Sequence, residues 1–200
     1  MSKLLKSIVS MAIAGAVSTS ALAADGTIDF KGEIIAASCS ITGGAGTSVG
    51  GNKGSQTIDV NLGKVSTDSL AGTAGGGAAI VGGKSINLNL DCGGTANGLK
   101  SVRMQFDPNS GSGIDSKNNS LLKLTPGGAT GVGIGIFNGS NNLVNIAANE
   151  TISGDLVATG EGENTKYTAK LDLRAGYVAN GDTVKPGAAN GQLPFTLTYE

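Results

Sequence analysis

Histidine and tryptophan are both absent from the 200 residues of this chain, and only two cysteines are present. Without histidine the chain cannot form a Ser-His-Asp triad, a Cys-His pair or a histidine metal site. Two cysteines are also too few for a four-cysteine zinc site. These absences exclude most of the common catalytic arrangements before any motif is considered.

Charged and aromatic side chains are scarce as well. Charged residues make up 14% of the chain and aromatic residues 4%. Fourteen basic and fifteen acidic side chains give a formal net charge of −1, which argues against a basic nucleic-acid-binding surface. Glycine, in contrast, fills 34 positions. We expect no nucleic-acid partner, no cofactor, and no catalytic or metal-binding residues.

The N-terminus has the pattern of a Sec-type signal peptide over residues 1–23. Lys3 and Lys6 form a short positive region, Ile8 to Val17 is apolar, and Ala21-Leu22-Ala23 is a small-x-small cleavage site. The apolar stretch is too short to span a bilayer. Cleavage would leave 177 residues, and the loss of two lysines would leave twelve basic and fifteen acidic residues, a net charge of −3.

Export determines how the two cysteines, Cys39 and Cys92, are interpreted. An even pair in an oxidising compartment predicts a structural disulfide. The bond would close a loop of 54 residues. The chain-entropy model gives about 4 kcal/mol of stabilisation for a loop of this size. A redox-active pair is the alternative, but no Cys-x-x-Cys spacing is present.

Apolar and polar residues alternate in seven stretches, which is typical of half-buried β-strands. The alternating residues are Ile28, Phe30, Ile34 and Ala36; Ile58, Val60 and Leu62; Ile86, Leu88 and Leu90; Val102, Met104 and Phe106; Val132, Ile134 and Ile136; Tyr167, Ala169, Leu171, Leu173, Ala175 and Tyr177; and Leu193, Phe195, Leu197 and Tyr199. Turn signals lie between them at Asn97-Gly98, Asn138-Gly139, Asn180-Gly181 and Asn190-Gly191. The pattern predicts one all-β domain, a sandwich or a barrel.

Helical signals are few. No stretch has a sustained 3.6-residue period, and one short helical turn is predicted from Ser66 to Leu70, with Ser66 or Thr67 as its cap. Two glycine-rich stretches, Gly43–Gly54 and Gly72–Gly83, are predicted to be flexible loops inside the disulfide loop.

Three short motifs have both a chemical and a structural interpretation. Gly83-Lys84-Ser85 is similar to the end of a phosphate-binding loop, but Ala78 stands where that motif needs glycine. The glycines of Gly131–Gly135 are similar to a dinucleotide fingerprint, but no helix follows, and they would instead let a neighbouring group approach closely. Asp107–Asp115 has some features of a calcium loop, but Asn118 stands where glutamate is needed, so a solvated turn is predicted.

The two ends of the mature chain carry the most specific pattern. Gly26–Ile34 alternates small or apolar residues with polar ones, ahead of Cys39. Leu193–Glu200 alternates in the same way, with Tyr199 as the penultimate residue and Gly187 fourteenth from the end.

In these features the chain resembles the pilins assembled by the chaperone–usher pathway, in particular the major subunits of type 1 fimbriae. The matching segments are Gly26–Ile35, Ala37-Ser38-Cys39, Leu62–Val65 with Ser69-Leu70, Leu90-Asp91-Cys92, Val132–Ile136, Pro186–Asn190 and the terminal strand with Gly187 and Tyr199. The resemblance covers nearly all of the mature chain and depends on the order and spacing of these segments. The two glycine-rich stretches depart from the family pattern.

The resemblance implies an incomplete immunoglobulin-like β-sandwich that lacks its final strand and is completed by a donor strand from a neighbouring subunit. Residues 24–36 would be the N-terminal donor-strand extension, and residues 37–200 the pilin domain. The inward residues of the donor strand would be Gly26, Ile28, Phe30, Gly32 and Ile34. The strand that lines the acceptor groove and pairs with the chaperone would carry Gly187, Phe195, Leu197 and Tyr199.

The implied function is that of a structural subunit of an adhesive fimbria, exported through the periplasm and displayed on the cell surface. The implied partners are identical subunits joined head to tail, a periplasmic chaperone and an outer-membrane usher. A minor adaptor or tip pilin and a glycan-binding adhesin module are the alternatives. A two-domain adhesin would need a lectin domain ahead of the pilin domain and would lack a donor segment, whereas this sequence has a donor segment and room for one domain.

Overall fold

A computed structural model describes residues 39–44, 47–71 and 80–200, which form ten β-strands and one short α-helix. The strands are β1 (Ser40–Gly43), β2 (Thr47–Asn52), β3 (Ser55–Val60), β4 (Val81–Gly93), β5 (Ser101–Phe106), β6 (Val132–Asn138), β7 (Thr151–Asp155), β8 (Val157–Thr159), β9 (Lys166–Ala179) and β10 (Phe195–Tyr199). Helix α1 is Thr67–Ala71, and 3-10 turns lie at Gly94–Ala96, Pro108–Ser110, Ile146–Ala148 and Gly162–Asn164.

The strands form two antiparallel sheets and a separate hairpin. The larger sheet has the order β1-β4-β9-β6, with β8 also paired to β9, and the smaller sheet has the order β10-β5-β7. Within the described part of the chain, strands β2 and β3 pair with each other and with no other strand. Buried residues of both sheets, such as Leu90 and Leu171 from the larger and Val102 and Met104 from the smaller, belong to one core. The predicted all-β sandwich is confirmed.

Strand β9 shows why these sequences form the sandwich. Leu171 and Leu173 are buried, while the intervening Lys170 and Asp172 are exposed. Because successive side chains of a strand point to opposite faces, this period of two places Leu171 and Leu173 on the inner face. Burying a side chain such as Leu171 contributes about 1.5–3 kcal/mol.

The short helix forms where the sequence predicts it. The Ser66 hydroxyl accepts a hydrogen bond from the Ser69 N–H at 3.3 Å, which caps the first turn of α1. Leu70 anchors the helix in the core with 5% of its surface exposed. Within the described ranges, no helix has the length and apolar character needed to cross a membrane.

The first glycine-rich stretch is not a flexible loop, so that prediction is wrong. Residues 47–60 form the β2–β3 hairpin, in register from Thr47↔Val60 to Asn52↔Ser55. Val49, Ile58 and Val60 pack against the core, and this burial holds the hairpin in place. Two glycines allow the chain to reverse between the strands, since Gly51 and Gly54 have φ values of +94° and +83°, which other residues rarely adopt.

Two further sequence expectations are corrected in the same way. Gly82 and Gly83, predicted as part of a loop, lie in β4, where a Cβ on Gly82 would come within 2.6 Å of the Val65 side chain. Residues 72–79 lie outside the described residues. Asn190-Gly191, predicted as a turn, lies in a non-turn segment ahead of β10, because Gly191 packs on the core instead of reversing the chain.

The glycines of β6 act as the sequence predicts. A Cβ on Gly133 would lie 2.8 Å from the Leu121 Cβ, and a Cβ on Gly135 would lie 2.9 Å from the Val178 side chain. Leu121, Phe137 and Val178 form a second buried cluster against this strand. The glycines therefore make room for a tightly packed neighbour. Gly83-Lys84-Ser85, the segment similar to a phosphate-binding loop, is also part of a strand, β4.

The predicted disulfide between Cys39 and Cys92 is present. Both cysteines are buried, and the bond ties the start of β1 to β4 across 53 positions of sequence. The cross-link restricts the unfolded chain more than it adds contacts to the folded one.

Replacing both cysteines by alanine should lower the free energy of unfolding by about 2–5 kcal/mol, because the unfolded chain regains the entropy of the closed loop. Urea denaturation of the periplasmically expressed mature protein measures the change. Reduction of the wild type should have a similar effect and should leave the double variant unaffected. Equal stability of all forms would contradict a stabilising role.

Candidate functional site

The C-terminal strand β10 lies at one edge of the smaller sheet. It pairs antiparallel with β5, from Phe195↔Phe106 to Tyr199↔Val102. Among the described residues, no strand pairs with the opposite edge of β10. Such an edge, referred to below as the β10 edge, is a template for the addition of another strand.

The hydrogen bonds to β5 identify the backbone groups that face the β10 edge. The Ser101 N–H donates to the Glu200 carbonyl at 2.9 Å, and the Glu200 N–H donates to the Ser101 carbonyl at 3.0 Å. In an antiparallel pair of strands, residue pairs that exchange two backbone hydrogen bonds alternate with residue pairs that exchange none. The backbone groups of Phe195, Leu197 and Tyr199 therefore point away from β5.

The side chains of the same three residues turn towards the core. Phe195, Leu197 and Tyr199 are half-buried and pack against it, whereas Thr196 and Thr198 are exposed. The β10 edge thus presents free backbone groups beside apolar side chains that are only partly covered. An added strand with the same alternation would bury this apolar surface and pair with the backbone at the same time.

A cavity of about 220 Å³ lies beside the segment that leads into β10. It is lined by residues 60–63 on one side and residues 189–191 on the other, together with Ile134 and Tyr177. A Cβ on Gly191 would lie 3.0 Å from the side chains of both Ile134 and Leu122, so the backbone packs closely against both side chains here. The space is large enough for an apolar side chain.

Tyr177 fixes one wall of this cavity. Its hydroxyl donates a hydrogen bond to the Ala189 carbonyl at 3.0 Å. Burial raises the pKa of the Tyr177 hydroxyl above its ordinary value, because the charged phenolate is poorly solvated there. The hydroxyl therefore remains protonated and holds the segment before β10 against the larger sheet.

Tyr199 connects β10 to the start of the described domain. Its hydroxyl accepts a hydrogen bond from the Cys39 N–H at 3.2 Å. Cys39 precedes β1 and carries the disulfide, so the end of β10 lies close to the first described residue of the chain.

Gly187 lies eight residues before β10. A Cβ at this position would lie 2.5 Å from the Ala129 nitrogen, so glycine permits close approach to that backbone. Its predicted part in the acceptor strand stays a prediction. The donor residues Gly26, Ile28, Phe30, Gly32 and Ile34, and the whole 24–36 segment, lie outside the described residues.

The segment that resembles a calcium loop holds two acidic residues in different surroundings. Asp107 caps an exposed turn, and the hydrogen bond from the Ser110 hydroxyl lowers the pKa of its carboxyl group. Asp115 is buried rather than solvated, because it accepts hydrogen bonds from the Lys117 and Asn118 N–H groups and from the Asn180 amide. Within residues 39–44, 47–71 and 80–200, no cluster of His, Cys, Asp or Glu could hold a metal ion.

Tyr177 and the 60–63 segment could not be identified as parts of a site from the sequence. Their signal was limited to alternation, which predicts a strand and says nothing about which strands lie next to each other.

Comparison with known proteins places the chain among fimbrial subunits. The family model for fimbrial protein matches residues 28–200. Long polar fimbria protein A of Salmonella typhimurium is 33% identical over 98% of this chain and 97% of its own. A probable major fimbrial subunit of Escherichia coli O157:H7 is 30% identical, covering 100% of this chain and 98% of its own. The type-1 fimbrial protein A chain of Escherichia coli K12 is 32% identical, covering 92% and 91% respectively.

These relatives are structural subunits of fimbriae, and the chain is accordingly a structural protein and not an enzyme. It belongs to the fimbrial protein family.

Replacing Tyr199 by phenylalanine should lower the free energy of unfolding by about 1–3 kcal/mol, because the Cys39 N–H loses its acceptor. Urea denaturation measures the effect. Tyr167→Phe is the matched control, since the Tyr167 hydroxyl donates to the exposed Asn97 side chain and water replaces that partner. Equal losses in both variants would contradict a specific contribution from Tyr199.

Proposed function

We propose that this chain is the main structural subunit of an adhesive fimbria and that it polymerises by adding residues 24–36 to the β10 edge of the next subunit. The observation that carries the proposal is the combination at Phe195, Leu197 and Tyr199 of half-buried apolar side chains with outward backbone groups. Membership of the fimbrial family, with a major subunit among its relatives, supports the same role.

The sequence of the donor segment fits this edge. Ile28 and Phe30 would face the core of the neighbour, and each would contribute about 1.5–3 kcal/mol on burial. Gly26 and Gly32 would lie where the groove is too shallow for a side chain. Asp29 and Lys31 would point to solvent on the opposite face, as the alternation requires.

The contact has a direction that favours a fibre. Each subunit would donate one segment and accept one, so the interface is head to tail and joins two different surfaces. A heterologous interface of this kind does not close on itself unless its rotation happens to form a ring. Repetition therefore produces an open polymer held by backbone hydrogen bonds and apolar burial.

The open edge also requires protection before assembly. A free subunit would expose backbone groups and apolar side chains, which favours aggregation. A periplasmic chaperone that lends a strand would cover this surface, and an outer-membrane usher would exchange it for the donor segment of the next subunit. The signal-peptide pattern supports export through the periplasm to the cell surface.

Replacing Phe30 by aspartate should abolish fibres, because a charged side chain would enter the apolar groove without a partner. Electron microscopy and the yield of sheared surface fibres measure assembly, and a folded chaperone complex should remain. Lys31→Asp is the matched control, since it places the same carboxylate on the outward face. Normal fibres from Phe30→Asp would refute the donor assignment.

Replacing Leu197 by aspartate should block the acceptor side of the same contact, because the charge would stand among the half-buried side chains of the β10 edge. Thr196→Asp is its control, since Thr196 is exposed on the opposite face.

The stability of two engineered chains tests whether the sandwich is incomplete. One chain starts at Ile35, and the other adds residues 25–34 after Glu200 through a flexible linker. The appended strand should convert an unstable or aggregating protein into a monomer with a cooperative thermal transition. If the shorter chain already unfolds cooperatively and the added strand changes nothing, the sandwich is complete by itself.

A further inference from the structure

The β2–β3 hairpin has no role in the assembly proposed above. It lies outside both sheets and comes from a glycine-rich stretch that departs from the family pattern. Its inner face packs on the core through Val49 and Ile58, while Ser48 and Asp59 on its outer face are exposed. The hairpin is therefore held in a fixed position beside the larger sheet.

Gln56, on β3, makes an unusual contact from this position. Its side-chain oxygen accepts a hydrogen bond from the Ile41 N–H at 3.0 Å, and its side-chain nitrogen donates to the Ile41 carbonyl at 3.1 Å. Ile41 lies in β1, whose opposite edge pairs with β4. In an antiparallel pair of strands, a residue exchanges two backbone hydrogen bonds, one through its N–H and one through its carbonyl, with the residue opposite it. The Gln56 amide thus takes the place of a strand at this edge.

The same hairpin covers the far end of β1. The Thr47 N–H donates to the Gly44 carbonyl at 3.1 Å, and a Cβ on Gly43 would lie 2.5 Å from the Thr47 carbonyl oxygen. The start of β2 therefore runs against the end of β1. Together, Thr47 and Gln56 close the edge that β1 would otherwise offer to a further strand.

Among the described residues, the other edges of the two sandwich sheets are closed or unsuitable for strand addition. Beyond β6, Leu122 and Ile134 exchange two hydrogen bonds of 2.9 and 3.0 Å, and the Val144 N–H donates to the Ile136 carbonyl at 2.8 Å. Strand β7 has exposed polar side chains and ends at the charged Asp155, and β8 has three residues. Charge and short length both discourage strand addition.

We propose that Gln56 restricts the site of strand addition, by closing the edge of β1 so that, among the edges of the two sandwich sheets, donor segments add at the β10 edge. This inference rests on the proposed function. A subunit with two available edges would accept two donor segments, and its polymer would branch. If the two sheets offer one available edge, each subunit has one acceptor for one donor, which is the condition for an unbranched fibre.

A fluorescent synthetic peptide of residues 24–36 tests the proposal on assembled fibres. On wild-type fibres every β10 edge except the terminal one is occupied, so the peptide should label only one end of each fibre. On fibres of the Gln56→Ala variant it should also label the sides, with bound peptide increasing in proportion to the number of subunits. The Ile41 amide should exchange with solvent about tenfold faster, because its acceptor is lost.

Two further variants make the result specific. Thr57→Ala truncates the next side chain, which lies on the exposed face of the same strand. Fibres of this variant should bind the peptide as wild-type fibres do, and their Ile41 amide should exchange at the wild-type rate. Gln56→Met keeps the length of the side chain but removes both hydrogen bonds, and it replaces Gln56→Ala if that variant does not fold.

The outcomes separate the inference from the function on which it rests. End-only labelling of the Gln56 variants, or an unchanged Ile41 exchange rate, would overturn the role of Gln56. A wild type that forms no fibres, or whose fibre ends do not bind the peptide, would instead count against the donor-strand assembly itself. Side labelling in the Gln56 variants but not in Thr57→Ala supports the proposal.

Discussion

Backbone hydrogen bonding at the sheet edges is the constraint on which the rest of this structure depends. A two-sheet sandwich has open edges, and each one exposes N–H and C=O groups that can pair with another chain. In this protein a side-chain amide covers β1, irregular segments around Leu122 and Val144 cover β6, and polar side chains line β7. The β10 edge differs because the described residues leave it without a strand and place apolar side chains beside it.

The composition of the core explains why such an edge has consequences. With no tryptophan and 4% aromatic residues, the sandwich depends on aliphatic side chains such as Leu88, Leu90 and Leu171. Fully burying a side chain of this kind contributes about 1.5–3 kcal/mol, so an added strand that covers the half-buried Phe195 and Leu197 would stabilise the smaller sheet. The disulfide at Cys39 adds stability independently of the core and ties β1, next to the end of β10, to β4.

The accuracy of the sequence predictions varies with the kind of signal. Long alternating segments such as β9 were predicted because period two is a local property of the chain. Strand β2 was misread as a loop because its glycines mask a short apolar pattern that becomes visible only through packing of Val49, whereas the alternation from Ile58 predicted β3. Strands β1, β7 and β8 had too few apolar residues to be recognised, since pairing with longer neighbours defines them. Asp115 was expected in a solvated turn, and its partner Asn180 is 65 positions away in the sequence.

The sequence by itself determined the all-β class, the disulfide, the short capped helix and the family pattern. Each of these depends on local periodicity, on residue type or on the spacing of motifs. Only the tertiary structure decided which strand edges other described residues cover, and that they leave the β10 edge without a strand. That distinction depends on contacts between distant segments, such as Gln56 with Ile41 and Tyr199 with Cys39. The same alternating pattern appears in open and closed strands alike, so edge availability is a property of the assembled sheets and not of any one segment.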